Sequence, residues 1–145
     1  MGDYLKDMDE RLRAFLESDP FREFLGGEVL EMREGYARVR AVVKEEHLNF
    51  HGVAHGGFIG AVADFAFAIA SNSENFRRMA VNINMNFYSS ANAGDELVGE
   101  AEKVKGGKRV GFFRLRVWRG EKGEKEELEA EGMAIVYGKG EKIIT

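Results

Sequence analysis

The residues best suited to chemistry in this sequence lie close together, between positions 47 and 64. All three histidines fall within nine residues, in HLNFHGVAH, and a pair of glycines follows directly. Asp64 is the only charged residue between the last histidine and Glu74, and its neighbours are alanine, valine and phenylalanine. Imidazoles bind metals or move protons, helix amides bind anions, and an isolated carboxylate can act as a base.

The histidine spacing could suit a metal ion, but the surrounding residues argue against one. His47, His51 and His55 are spaced i, i+4 and i+8, which on a helix would place them on one face. Glycine at 52 and at 56–57 disfavours a continuous helix there, and no cysteine completes a usual ligand set. We therefore expect no metal and no cofactor, with His47 and His51 as polar loop residues at the surface.

The pair Gly56-Gly57 stands at the start of a predicted helix over 56–76, the most apolar stretch of the chain. The first amides of a helix have no partner within the helix and carry a partial positive charge. Glycine lets a ligand approach this backbone closely, so the site could bind an anion or the oxyanion of a carbonyl under attack. The alternative is a tight loop-to-helix turn that needs the backbone freedom of glycine.

Asp64 falls inside the same predicted helix, in apolar surroundings. Burying a carboxylate there costs several kcal/mol unless it is partnered or its pKa rises, which favours a general base or nucleophile. The alternative is an aspartate that pairs with an arginine or caps a neighbouring element. Gly56 and Asp64 are eight residues apart, about 12 Å along one helix axis. If both act on one substrate, Asp64 must come from a second subunit, which predicts a homodimer with two equivalent composite sites.

The remaining chain predicts the elements that position these groups. Residues 3–17 carry a helical apolar stripe, Asp19 and Pro20 begin a short turn through position 25, and two runs joined by Glu34-Gly35 predict a hairpin. Four strand-like runs follow the long helix, at roughly 79–89, 95–105, 109–119 and 126–137. The order favours an α+β fold in one domain, 1–145, whose single antiparallel sheet wraps around the central helix. Residues 1–25 form an N-terminal helical extension.

Composition excludes several classes of protein. The 145 residues carry a net charge of −4, which argues against a nucleic-acid partner. No apolar run approaches the roughly 20 residues of a membrane span, and the N-terminus is charged from position 3, unlike a signal peptide. The chain has no cysteine, so a disulfide framework is excluded and a cytoplasmic location is expected.

A spaced set of residues also resembles a known family. The set comprises Asn49-x-x-Gly52-x-x-His55-Gly56-Gly57, Asp64, the strand 81–87, the turn 93–97, Gly107-Lys108-Arg109 and Glu129-Ala130-Glu131-Gly132. It resembles the hotdog-fold acyl-CoA thioesterases, in particular the branch that includes the phenylacetic-acid-pathway enzymes. The resemblance covers roughly residues 25–138 in the right order.

The resemblance implies hydrolysis of acyl-CoA thioesters to a free acid and CoA. By position, the Gly56 N–H would polarise the thioester carbonyl, His55 would support its loop, and Asn49 would position the thioester or the attacking water. Asp64 of the partner subunit would be the general base or nucleophile. Further expected substrate contacts are Gly57, Phe58 and Asn82. A homodimer that assembles into a homotetramer is expected.

Two departures keep other functions open. Many relatives carry a serine or threonine just before the strand at 81, where this chain has Ala80, and strand alternation would put Asn82 on the same face as a substitute. Ser89-Ser90 stands where relatives often have Arg-Pro or Ser-Pro. The alternatives are a non-catalytic acyl-CoA-binding module and a hotdog hydratase.

Three further features leave their roles open. The row Asn82, Asn84 and Asn86 predicts either a wet face or a subunit interface. Basic residues near the strand ends could meet the CoA phosphates: Arg77, Arg78, Lys103, Lys105, Lys108 and Arg109. The third feature is a set of apolar residues that would suit an acyl tunnel, for aromatic and medium aliphatic chains alike, or a plain core: Phe58, Phe65, Phe67, Met85 and Phe87.

Overall fold

A computed structural model describes residues 8–145, which form one antiparallel sheet around one long helix. The helices are α1 (Glu10–Leu16), α2 (Phe21–Leu25) and the long α3 (Gly56–Asn72). The strands are β1 (Glu28–Arg33), β2 (Tyr36–Val42), β3 (Met79–Phe87), β4 (Glu96–Gly106), β5 (Val110–Arg119) and β6 (Glu127–Tyr137), and a 3-10 turn spans Glu45–His47. The sheet order is β1-β2-β4-β5-β6-β3. This confirms the predicted α+β hotdog fold.

The observed helix ends agree with the prediction at α2 and differ from it at the start of α1 and the end of α3. The predicted helix over 3–17 is observed over Glu10–Leu16, since Asp9 is its N-cap, and residues 3–7 lie outside the described part of the chain. Asp19 caps α2 as expected, since its Oδ1 accepts from the Phe21 amide at 3.0 Å. Helix α3 ends at Asn72 rather than 76, because Ser73 Oγ donates to a backbone carbonyl of the last turn and Asn75 takes a φ of 68°. In the described part of the chain, no helix is long and apolar enough to cross a membrane.

The core lies between α3 and the concave face of the sheet. The rings of Phe67 on α3 and Phe113 on β5 meet edge to face, with centroids 5.4 Å apart, and both are fully buried. A Cβ at Gly99 on β4 would lie 2.9 Å from the Val62 carbonyl oxygen, so glycine permits the closest approach of α3 to the sheet. The central strands thus set the distance between the sheet and α3, the helix whose first turn contains Gly56.

A bulge in β3 changes which of its residues share a face. Ala80 pairs with Val136 and Asn82 pairs with Ile135, so Val81 is the extra residue. Because neighbouring residues of β6 point to opposite faces, Ala80 and Asn82 also point to opposite faces. The prediction that they share a face is therefore wrong. Ala80 faces the helix side, beside the fully buried Val136, and Asn82 faces away from α3.

Strand β3 forms an edge of the sheet and is exposed on both faces. It pairs with β6 on one side, and in the described chain its other side has no strand partner. Its exposed apolar side chains are Met79, Val81, Ile83 and Phe87, and its exposed amides are Asn82, Asn84 and Asn86. Proteins usually protect an edge of this kind with lysine, proline or a covering element, and β3 carries neither residue. Its outer edge is therefore open to pairing with another strand.

Arg78 joins the end of α3 to the sheet. Its buried guanidinium donates to the Ser71 carbonyl at 2.8 Å, to the Gly107 carbonyl at 2.6 Å and to Glu74 at 3.0 Å. Lys103 of β4 pairs with the same Glu74 carboxylate at 3.0 Å. Arg78 and Lys103 are thus engaged inside the fold, which corrects the suggestion that they could meet the CoA phosphates. The predicted turn at 106–109 is observed as the β4–β5 connection.

Replacing Arg78 with methionine is expected to lower the free energy of unfolding by about 3 kcal/mol, because the Ser71 and Gly107 carbonyls lose their buried donor and Glu74 loses one of its partners. Urea unfolding measures the change. The adjacent Arg77 is exposed and serves as the control, since Arg77→Met should stay within about 0.5 kcal/mol of the native chain. Equal effects of the two substitutions would contradict the linking role of Arg78.

Candidate active site

The loop before α3 is held from two sides. Leu48 and Ala54 form an antiparallel bridge, and the His55 amide donates to the His47 carbonyl at 2.8 Å. On the other side, the Ala54 amide donates to the carbonyl of Ala91 at 2.7 Å, and Ala91 is fully buried. These contacts set the direction in which the chain enters the helix.

Asn49 organises the turn inside this loop. Its side-chain Oδ1 accepts from the backbone amides of His51 at 2.9 Å and Val53 at 3.4 Å. Its backbone amide donates to the Val53 carbonyl at 2.8 Å. Gly52 has a φ of 80°, a left-handed conformation that glycine adopts without strain. Within residues 8–145 the Nδ2 group of Asn49 has no acceptor, so two donors are available to a ligand.

The first turn of α3 leaves a single amide free. His55 is the N-cap, and its Nδ1 accepts from the Gly57 amide at 2.8 Å. The amides of Phe58 and Ile59 donate to the His55 carbonyl at 2.9 and 3.1 Å. Among the described residues the Gly56 amide alone has no acceptor in this turn. A donor at a helix N-terminus, where the helix dipole is positive, can stabilise the oxyanion of a carbonyl under attack.

The two glycines have different reasons to be glycine. A Cβ at Gly57 would lie 2.9 Å from Nδ1 of His55, so a side chain there would disturb the cap. A Cβ at Gly56 would meet no described atom within 4 Å, so the space beside its amide is open. The predicted placement of His55, Gly56 and Gly57 in one loop-to-helix turn is therefore confirmed, and the open side of the turn is at Gly56.

His47 is buried, which corrects the expectation of a surface loop residue. Its Nδ1 accepts from the Lys44 amide at 3.0 Å, and its Nε2 lies 3.0 Å from the Phe24 carbonyl. This pattern assigns a neutral ring with its proton on Nε2. The ring stacks on Phe58 at 3.9 Å between centroids. His47 therefore links α2 to the loop. Within residues 8–145 no group of three histidine, aspartate or glutamate side chains is placed to hold a metal ion.

Asp64 lies on the outer face of α3 and is exposed in the single chain. The expectation of a buried carboxylate is wrong, because Val62, Ala63 and Phe65 take the buried positions of this part of the helix while Asp64 falls on its exposed side. Within residues 8–145 its carboxylate has no hydrogen bond or ion-pair partner. An aspartate that only pairs with an arginine or caps an element would have one.

Two effects raise the pKa of Asp64 above its ordinary value. The surrounding protein removes part of the hydration of the carboxylate, although solvent still reaches it, and the negative charge of Asp19 adds to the effect. Gly56 and Asp64 lie on the same helix, eight residues or about 12 Å apart along its axis. The structure therefore does not bring them together within one chain.

The other expected substrate contacts are spread over the structure. Gly57 lies in the first turn of α3, and Phe58 is buried against His47, whereas Asn82 lies on the sheet face away from the helix. Beside Gly57 and Phe58 runs a groove of about 240 Å³. Its lining residues are Phe21, Phe24, Glu46, His47, Leu48, His55, Gly57, Phe58 and Ala61. Sequence analysis missed the contribution of α2, although two phenylalanines three positions apart were a signal.

Comparison with known proteins places this geometry in a family. The sequence model of the family described as "Thioesterase superfamily" matches residues 51–126. This segment is more than half of the chain and contains Gly56 and Asp64. The chain belongs to the thioesterase superfamily. It is therefore a thioester hydrolase, as the resemblance in its sequence implied.

Several relatives of this thioesterase are known. The acyl-coenzyme A thioesterase PaaI of Escherichia coli is 32% identical over 108 residues, 74% of this chain and 77% of that protein. The E. coli PaaI structure has a TM-score of 0.82 at 28% identity and covers 90% of this chain and 91% of that chain. A mutant of the phenylacetic acid degradation protein PaaI from Thermus thermophilus has a TM-score of 0.74 at 36% identity and covers 82% of this chain and 98% of that chain. These structures share the hotdog fold of this thioesterase.

Replacing Asp64 with asparagine is expected to stabilise this thioesterase, and increasingly so as the pH rises. The raised pKa means that the folded state binds the proton more tightly than the unfolded chain, so ionisation destabilises the fold. The gain in free energy of unfolding should therefore grow between about pH 3 and about pH 7, from the ordinary aspartate pKa upward. Urea unfolding at several pH values measures it.

Asp9 provides a control of opposite sign. The side chain and amide of Arg11 donate to its carboxylate and hold its pKa below the ordinary value, so its ionised form stabilises the fold. Asp9→Asn should lose stability relative to the native chain as the pH rises toward the ordinary aspartate pKa, with little further change above it. Parallel curves for the two substitutions would contradict the raised pKa of Asp64.

Proposed function

We propose that this thioesterase hydrolyses acyl-CoA thioesters to a free acid and CoA, at two equivalent sites in a homodimer. The observation that carries the proposal is the single free amide of the α3 first turn, at Gly56. The E. coli relative is an acyl-coenzyme A thioesterase, which supports CoA as the thiol.

The groups of one chain bind and polarise the thioester. The carbonyl oxygen accepts from the Gly56 N–H, which holds the negative charge that develops when water or a carboxylate attacks. His55 acts through Gly57: by accepting the Gly57 amide it sets the first turn and leaves the Gly56 donor unoccupied. The Asn49 Nδ2 donors, presented by the same loop, position the thioester or the attacking water.

Asp64 of the second subunit completes the site. Its carboxylate has no partner in residues 8–145, and its pKa is raised, so it accepts a proton more readily than an ordinary surface aspartate. It acts either as the general base that takes a proton from the attacking water, or as the nucleophile that forms an anhydride with the acyl group, which water then hydrolyses. In both cases the carbon–sulfur bond breaks, and CoA leaves as the thiolate and takes up a proton. Both roles place it opposite the Gly56 amide, across the reacting carbon.

The open edge of β3 supports the homodimer. The strand is nine residues long, and four of its residues have exposed apolar side chains. Its outer edge has no partner strand in the described chain. Antiparallel pairing of two β3 strands about a two-fold axis would satisfy these groups and continue the sheet. It would also bring the two central helices to the same side of one sheet, with opposite directions. The homotetramer and the cytoplasmic location remain predictions from the sequence.

Replacing Gly56 with proline is expected to remove the donor and keep the helix. Gly56 is the first helical residue, where proline is well tolerated, and His55 already has the extended conformation, φ −62° and ψ 138°, that precedes proline. We expect kcat for thiol release from acyl-CoAs to fall about 100- to 1,000-fold, the usual cost of losing one oxyanion donor.

The matched control is Gly56→Ala, which adds a methyl group in open space but keeps the N–H. The assay follows free thiol from acetyl-, hexanoyl- and phenylacetyl-CoA, and circular dichroism checks that each variant is folded. Equal activity of the proline and alanine variants would contradict the role of the Gly56 amide. If the folded native chain releases no thiol from any acyl-CoA, the proposal fails and an acyl-CoA-binding module replaces it.

A further inference from the structure

We propose that helix α2 forms one wall of the acyl-group site, where Phe21 and Phe24 favour large apolar acyl groups over short ones. This inference rests on the proposed function. It assigns a specificity role to a segment that lies outside residues 51–126, the part of the chain that matches the thioesterase superfamily.

Four aromatic rings form a continuous series along the groove. Phe21 stacks on Phe24 with centroids 5.4 Å apart, Phe24 meets His47 edge to face at 5.4 Å, and His47 stacks on Phe58 at 3.9 Å. The inner rings are buried, whereas Phe21 and Phe24 remain 51% and 50% exposed. An apolar group laid against these two outer rings would be removed from water together with their exposed surface.

The groove is continuous with the candidate catalytic turn. His55 and Gly57 line it and flank Gly56, whose free amide would hold the thioester carbonyl. A chain that leaves this carbonyl on the α2 side therefore enters the groove directly. Ala61, one turn further along α3, has a small side chain and leaves room on the helix side.

The size of the groove suits part of a ligand. Pockets that enclose a whole small molecule measure roughly 300–1,000 Å³, whereas this groove measures about 240 Å³. Its nine lining residues comprise five apolar residues, two histidines, one glycine and Glu46, which is the only carboxylate among them. We therefore assign it to the acyl group, with the much larger and charged CoA outside it.

Helix α2 is held firmly enough to act as a wall. Arg22 Nε donates to the Gly27 carbonyl at 3.0 Å and Arg22 Nη1 donates to the Glu17 carbonyl at 3.0 Å, which ties both ends of the helix. The Phe24 carbonyl accepts from His47 Nε2, and the His47 carbonyl accepts from His55. The wall and the catalytic turn are thus parts of one hydrogen-bonded unit.

The experiment compares kcat/KM for hexanoyl-CoA and acetyl-CoA in the full-length chain. Phe21→Ala should lower the hexanoyl-to-acetyl ratio about tenfold, the usual scale for a lost apolar contact in a binding pocket. Phe21 is chosen because Phe24 also contacts His47. The ratio is an internal control, because loss of folded protein lowers both rates equally.

Two further variants sharpen the test. Phe15→Ala removes a ring of α1 that is 47% exposed but lies outside this groove, so the ratio should not change. Ala61→Leu fills the groove from the helix side and should lower the ratio at least as much as Phe21→Ala.

The outcomes separate this inference from the proposed function. If the native chain hydrolyses acyl-CoAs but Phe21→Ala and Ala61→Leu leave the ratio unchanged, the acyl group lies elsewhere and the inference is wrong. The same holds if Phe15→Ala lowers the ratio as much as Phe21→Ala does. If the native chain hydrolyses neither thioester, the proposed function itself has failed.

Discussion

The hydrogen bond from the Gly57 amide to Nδ1 of His55 is the interaction on which the candidate site depends. An α-helix begins with amides that lack partners, and a cap usually satisfies them with a short side chain. Here an imidazole accepts from the second amide, and the His55 carbonyl accepts from the two that follow, so within residues 8–145 the Gly56 N–H alone has no acceptor in this turn. The same turn needs glycine at 57 to make room for the ring, whereas the space beside Gly56 is open to a ligand.

The rest of the fold sets the position and direction of this turn. Gly99 lets α3 approach the sheet closely, and the bridge from Leu48 to Ala54 and the bond to Ala91 aim the entering chain. The sheet then ends at β3, whose outer edge has no partner strand among the described residues and is where the proposed second subunit would pair. Because Gly56 and Asp64 are about 12 Å apart along one helix, the proposed site takes them from different chains.

Much of this could be read from the sequence, because the informative patterns are local. Small and apolar residues predicted α3, and the glycine pair predicted its start. The sequence could not reveal the bulge at Val81, since a bulge leaves no mark in an alternating pattern. The bulge places Ala80 and Asn82 on opposite faces of the sheet, where simple alternation would place them on the same face. Nor could it place Asp64 on the exposed side of α3 or His47 inside, because both depend on how elements distant in sequence pack.

The most direct test of the composite site is to mix two inactive variants, Asp64→Asn and Gly56→Pro, under conditions in which native mass spectrometry shows subunit exchange. Each mixed dimer would join an intact Gly56 of one chain to an intact Asp64 of the other. Equal amounts should therefore recover about one quarter of the native thiol-release activity per subunit, because half of the dimers are mixed and each has one working site. Activity that stays at the level of the separate variants, despite confirmed mixed dimers, would contradict the account.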